Sequence, residues 1–156
     1  VMESVKEFAA KGGKVLGICN GFQILLEAGL LPGAMKRNDS LHFISKYHTL
    51  KVINNDNRFL SLMKKDQVVN IPVAHHDGNY YIDAAGLKEL EENNQILLKY
   101  CDKDGNLVNM NGSVLNIAGI CNKEKNVFGL MPHPERAIEE LLGSIDGVNM
   151  LKGFLQ

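Results

Sequence analysis

The stretch Gly17-Ile18-Cys19-Asn20-Gly21-Phe22-Gln23 constrains the fold more than any other part of the chain. It follows an apolar run, Lys14-Val15-Leu16-Gly17-Ile18, that reads as a buried strand. It opens a second run, Phe22 to Ala28, that reads as a helix ended by Gly29 and Pro32-Gly33. A strand that turns at once into a helix belongs to α/β architecture. G-x-C-x-G at that turn has the form of a nucleophile elbow with Cys in place of Ser. The glycines at 17 and 21 let neighbouring backbones approach. The helix N-terminus favours a thiolate at Cys19, below the free thiol value of about 8.5. The Asn20 N–H is placed to donate to an oxyanion. An isolated cysteine at a strand end is usually a small packing residue. Here strand, glycines, polar Asn20 and helix together favour the reactive reading. The motif alone fits several cysteine hydrolases.

The chain has 156 residues, 45% of them hydrophobic and 22% charged, which suits one domain with a real core. Its net charge of -1 argues against a strongly basic nucleic-acid binder. No apolar run reaches the roughly 18 residues that span a bilayer, so no membrane segment is expected. Three cysteines, Cys19, Cys101 and Cys121, lie far apart, which is no disulfide framework and points to a reducing, cytoplasmic setting. The chain begins Val1-Met2 and goes directly into an amphipathic helix pattern, Met2 to Ala10, closed by Gly12-Gly13. A start in mid-helix reads as the continuation of something upstream, so an N-terminal truncation is expected.

Further strands are expected at Thr49 to Ile53, Val68 to His75, Ile96 to Tyr100, Val114 to Cys121 and Val127 to Met131. Pro72 puts its strand at an edge or a bulge. His76-Asp77-Gly78-Asn79 leading into Tyr80-Tyr81-Ile82 predicts a hairpin. Helices are expected at Leu87 to Glu92, Arg136 to Leu142 and Val148 to Leu155. Asn38-Asp39-Ser40 and Asn111-Gly112-Ser113 read as turns. The best class is α/β, a three-layer mixed sheet flanked by helices, in one domain over residues 1–156.

A cysteine nucleophile needs a base, and the base needs an orienting acceptor. Met131-Pro132-His133-Pro134-Glu135-Arg136 supplies both. Two prolines stiffen the loop around His133. An extended segment puts Glu135 on the same side as His133. A solvated loop histidine and a helix-start carboxylate are the plain alternatives. The order Cys…His-x-Glu on an α/β scaffold favours catalysis. His75, His76 and Asp77 match no usual zinc spacing, so no metal site is expected. They read as a turn-flanking polar cluster.

Taken together, the elbow and the His133 segment resemble the class I (triad) glutamine amidotransferases. The resemblance is closest to the glutaminase subunits of phosphoribosylformylglycinamidine synthase, in purine biosynthesis. Leu30-Leu31-Pro32-Gly33-Ala34-Met35, Ile71-Pro72-Val73-Ala74-His75 and Ile117-Ala118-Gly119-Ile120 support it, and Asn20-Gly21-Phe22-Gln23 is its discriminating piece. The resemblance implies a flavodoxin-like fold. It implies that Cys19 attacks the side-chain amide of L-glutamine, that His133 moves the proton and that Glu135 orients His133. Gln23 would help hold the amino-acid end of the substrate, with Asn20 at the oxyanion and Asn38, Ser40 and Phe43 in a nearby loop. No cofactor is implied in this subunit. ATP and Mg would serve a synthetase partner that takes the ammonia, and a small third subunit would join them.

The resemblance also marks two departures. The family domain is longer at its N-terminus, so this chain would be its C-terminal two-thirds, without the Gly-rich loop that completes the oxyanion hole. Losing one such donor costs about 10²–10³ in rate. Ala74-His75-His76-Asp77-Gly78 varies a family segment expected near the partner surface. Two alternatives follow: a partner-dependent or inactive interaction piece, and another Cys-His-Glu hydrolase of the same fold.

Overall fold

The computed structural model describes residues 1–156. In chain order the elements are α1 (Met2–Ala10), β1 (Val15–Ile18), α2 (Asn20–Glu27), β2 (Ala34–Lys36), β3 (Ile44–Val52), β4 (Val68–His75), β5 (Asn79–Tyr81), α3 (Ala84–Glu92), β6 (Ile96–Cys101), β7 (Ile117–Cys121), β8 (Val127–Leu130) and α4 (Gly147–Leu155). Short 3₁₀ turns cover Val114–Asn116, Pro134–Arg136 and Glu140–Leu142. The main sheet has six strands in the order β1-β8-β7-β6-β3-β4. β1 and β8 run parallel, and every other neighbouring pair is antiparallel.

The sheet is covered on both faces. On one, Phe22, Leu25 and Leu26 of α2 and Leu90 of α3 pack with Ile96, Ile117, Ile120 and Val127. On the other, Met150 of α4 and Phe59, Leu60 and Met63 of the β3–β4 connection pack with Leu50, Ile71, Leu98 and Phe128. Each large apolar side chain buried this way contributes about 1.5–3 kcal/mol. This is the three-layer mixed α/β class expected from the sequence. No helix is long and apolar enough to cross a membrane.

Several local expectations change; Val114–Asn116, expected in a strand, forms a 3₁₀ turn ahead of β7. β5 does not form a hairpin with β4; it pairs antiparallel with β2, a strand the sequence pattern did not mark. Tyr80 decides this, because its ring is buried, stacks on Phe22 at 5.9 Å and donates its hydroxyl to the Pro32 carbonyl at 2.6 Å. β3 starts at Ile44 rather than Thr49, since its first half is largely exposed and has no apolar run to read. The segment Arg136 to Leu142 is not one helix. Leu141 is 97% exposed, so there is no buried stripe to support an α-helix, and Gly143 turns the chain at φ 104°. Cys101 and Cys121 are buried packing residues, and burial pushes the Cys121 thiol up to about 12.

Candidate active site

The turn from β1 to α2 is made at Cys19 itself, with φ 55° and ψ −107°. A non-glycine residue at positive φ is strained and is held there by its neighbours. The Cys19 N–H donates to the Leu130 carbonyl at 2.8 Å, and the Cys19 carbonyl accepts from the Gln23 N–H at 3.2 Å. Gly17 is needed for the close approach, because a Cβ there would lie 2.5 Å from Leu25 Cδ1 and 2.7 Å from the Gly21 carbonyl oxygen. Gly21 is not needed in the same way, since a Cβ at Gly21 meets nothing within 4 Å.

Cys19 opens onto a cavity of about 560 Å³ lined also by Asn20, Gln23, Phe43, His75 and His133, with Ala74, His76, Asp77 and Arg136 around them. The fold thus brings the thiol of residue 19 and the imidazole of residue 133 to one place. β8 delivers both partners: Leu130 holds the Cys19 amide, and the chain leaving Leu130 runs on to His133. β4 forms the facing wall. Its Pro72 carbonyl accepts from the His133 N–H at 2.8 Å, and its Ala74 carbonyl accepts the Cys19 thiol at 3.4 Å.

His133 Nδ1 lies 2.6 Å from Glu135 Oε1. A carboxylate only accepts, so Nδ1 carries a proton, and in the neutral ring Nε2 is the acceptor. Nε2 is buried and has no hydrogen-bond partner. The contact arises through the 3₁₀ turn at Pro134–Arg136, not through the extended segment expected from the spacing. Glu135 is half-exposed and touches the back of the imidazole, away from the cavity lining.

The Cys19 sulfur departs from expectation. Burial pushes its pKa up from the ordinary thiol value. The Asn20 N–H beside the sulfur and the Arg136 charge pull it down, and Glu135 raises it, but burial prevails. In this state residue 19 is a thiol that donates to a backbone carbonyl, not a thiolate.

Gln23 lines the cavity and donates from Nε2 to the Asp77 carbonyl at 2.9 Å. Phe43 forms part of the rim, 5.5 Å from the His76 ring. Asn38 and Ser40 do not line the cavity. Asn38 is fully buried behind the wall, bonded to the His42 and His75 carbonyls and to the Gly78 N–H. Ser40 is exposed and accepts from the His42 N–H. His75, His76, Asp77 and Arg136 line the cavity although the sequence does not assign them to the site. His75 reads from the sequence as part of a turn-flanking polar cluster at a strand end, not as a pocket residue. Only the pairing of β3 with β4 aims it inward. No group of His, Cys, Asp and Glu side chains gathers in an arrangement that would hold a metal. A larger apolar groove of about 860 Å³ lies elsewhere, between α1 and α4, and holds none of the Cys and His side chains of the site.

Residues 1–149 match the CobB/CobQ-like glutamine amidotransferase domain. The chain is 70% identical over 156 residues to phosphoribosylformylglycinamidine synthase subunit PurQ of Sulfurimonas denitrificans, covering all of this chain and 70% of that one. The chain belongs to the PurQ family of glutamine amidotransferases. The Wolinella succinogenes subunit of the same name is 61% identical over 154 residues, covering 99% of this chain and 68% of the relative. Among solved structures, PurLQS from Thermotoga maritima superposes with a TM-score of 0.87 at 41% identity, over 99% of this chain and 66% of that one. The chain thus spans about two-thirds of the length of its relatives.

Proposed function

We propose that the chain carries the glutaminase chemistry of phosphoribosylformylglycinamidine synthase: it hydrolyses L-glutamine to glutamate and ammonia through a Cys19 thioester. One observation carries the reading. A cysteine held at a positive-φ bend shares a cavity with an imidazole whose Nδ1 is tied to a carboxylate. His133 Nε2, the bare nitrogen, takes the thiol proton as sulfur attacks the amide carbon. The Asn20 N–H, already beside the sulfur, stabilises the oxyanion. As the C–N bond breaks, His133 returns the proton to the leaving nitrogen and ammonia departs. Water then attacks the thioester, His133 takes a proton from it, and the thiol is restored as glutamate leaves. Gln23 anchors the amino-acid end of the substrate.

The ammonia passes to a synthetase partner, with a small third subunit, in purine biosynthesis; that the relatives are named as a synthase subunit supports assembly with a partner. No cofactor serves this half-reaction; ATP and Mg belong to the partner. Three free cysteines support a cytoplasmic setting. A chloroketone analogue of glutamine tests the site. It labels Cys19, glutamine protects against it, and Cys19→Ser takes up no label. Labelling that ignores glutamine, or persists in Cys19→Ser, removes Cys19 from the mechanism.

The Cys19–Ala74 hydrogen bond favours a second reading, in which turnover waits for the partner. Glutamine hydrolysis measured with and without the synthetase separates the two.

A further inference from the structure

His75 is 4% exposed, lines the Cys19 cavity and follows the residue whose carbonyl accepts the thiol. Its protonation state follows from its neighbours. The Gly78 N–H, which only donates, points to Asn38 Oδ1 at 3.1 Å, so that atom is the amide oxygen. Asn38 Nδ2 donates to the His42 and His75 carbonyls, both at 2.9 Å, which fixes the amide from its other end. His75 Nδ1 faces the same Oδ1 at 3.2 Å and must therefore carry the hydrogen. Nε2 is then a lone-pair acceptor, buried and without a donor.

The surroundings keep it so. Burial lowers the His75 pKa to about 4; its own backbone carbonyl and Asp77 oppose the shift, and the neighbouring His133 adds to it. The ring lies against Gly78, where a Cβ would come within 2.3 Å of Cε1 and Nδ1. The Gly78 carbonyl is in turn held by Asn111 Nδ2 at 2.6 Å and Ser113 Oγ at 3.0 Å. A buried acceptor without a partner costs about 1–3 kcal/mol, so an arrangement that fixes one beside a reactive thiol calls for a donor that arrives with the ligand.

On the glutaminase reading, we infer that His75 is the amide-reading residue of the pocket: its Nε2 accepts an N–H of the glutamine carboxamide. A carboxamide brings two N–H donors, whereas the carboxylate of glutamate and a γ-ester bring only lone pairs. In the reaction His133 Nε2 takes the thiol proton, so the two imidazoles divide the work. A site built to bond an N–H rejects the analogue that lacks it.

The test compares L-glutamine with glutamate γ-methyl ester in the complete protein assembled with its synthetase. His75→Phe lowers kcat/KM for glutamine about 10- to 100-fold and leaves the ester within about threefold, while His75→Gln, which keeps an acceptor, recovers part of the loss. Equal losses on amide and ester, or no loss on glutamine, overturn the assignment. Should His75→Phe fail to fold, ¹⁵N-histidine spectra of the Cys19→Ser protein decide instead. The bare Nε2 resonance of His75 moves upfield when glutamine binds and stays put with glutamate; a resonance indifferent to glutamine overturns the inference. Unmodified protein that turns over neither substrate overturns the glutaminase reading itself, a result distinct from the others.

Discussion

On the elbow side of the Cys19 cavity, the bend is shaped mainly by local contacts: the Gln23 N–H reaches back to the Cys19 carbonyl and Gly17 abuts Gly21, while the Cys19 N–H is tied across the sheet to Leu130. On the facing side, the Ala74-to-Gly78 segment is held by Asn38, Asn111 and Ser113, through bonds that cross 33 to 40 positions of sequence. The first wall places a reactive atom and the second places the groups that surround it. They should therefore fail differently, the first in chemistry and the second in stability.

Cys19→Gly gives the largest effect. Glutamine turnover falls by about 10⁴-fold or more, because the nucleophile is gone. The φ of 55° no longer carries a penalty, so the protein melts no lower than before and gains roughly 1 kcal/mol. Thermal denaturation beside a glutamate-release assay checks both. A clearly lowered melting point would mean that the bend depends on the side chain. Asn38→Ala attacks the facing wall and behaves in the opposite way. It leaves the Gly78 N–H, the His75 Nδ1–H and two carbonyls unpaired, at about 3 kcal/mol in all. A domain of this size then melts about 6–12 °C lower, while labelling of Cys19 in the folded fraction persists.

This contrast also accounts for what the sequence reveals. The elbow is legible because strand, bend and helix are contiguous, and β1, Cys19 and α2 stand where the pattern puts them. His133 and Glu135 are legible because proline stiffens a short segment, although the turn that joins them is 3₁₀ rather than extended. The facing wall is not legible. Asn111 reads as a turn residue and Asn38 as a pocket-loop residue only through the resemblance, yet both are buried behind the wall and pin Gly78. Nothing within a few residues of either announces a partner on another strand. The pairing of β2 with β5 is hidden for the same reason, since a buried Tyr80 decides it. The raised Cys19 pKa is a matter of depth: the helix N-terminus is visible in the motif, but the burial that outweighs it is not.

Acid sharpens the comparison, because it acts on the facing wall. His75 is neutral in the folded protein, with a pKa lowered to about 4 chiefly by burial. In the unfolded chain it titrates near 6.5, so between these values the unfolded state binds more protons and stability falls as pH falls. The full difference corresponds to about 3 kcal/mol, lost progressively from about pH 6.5 down to 4. His48, also lowered by burial, adds a loss of the same sign. Melting temperatures of unmodified and His75→Phe protein across that range measure the share of His75. An equally steep fall in the variant would assign the acid limb to other groups.

The smallest effect separates two glycines within the elbow itself. Gly17→Ala drives a methyl group to 2.5 Å from Leu25 Cδ1 and 2.7 Å from the Gly21 carbonyl, and backbone cannot yield as a side chain can. Overpacking of this kind costs about 1–3 kcal/mol, and it shifts the turn that carries Cys19, so turnover falls with stability. Gly21→Ala meets open space and exchanges a poor helix former for a good one in the first turn of α2. Its stability stays level or rises by up to about 1 kcal/mol, and alkylation of Cys19 keeps its rate. The motif writes the two glycines as equals. Equal losses from both substitutions would restore that symmetry and refute the close approach at Gly17 as the reason for the bend.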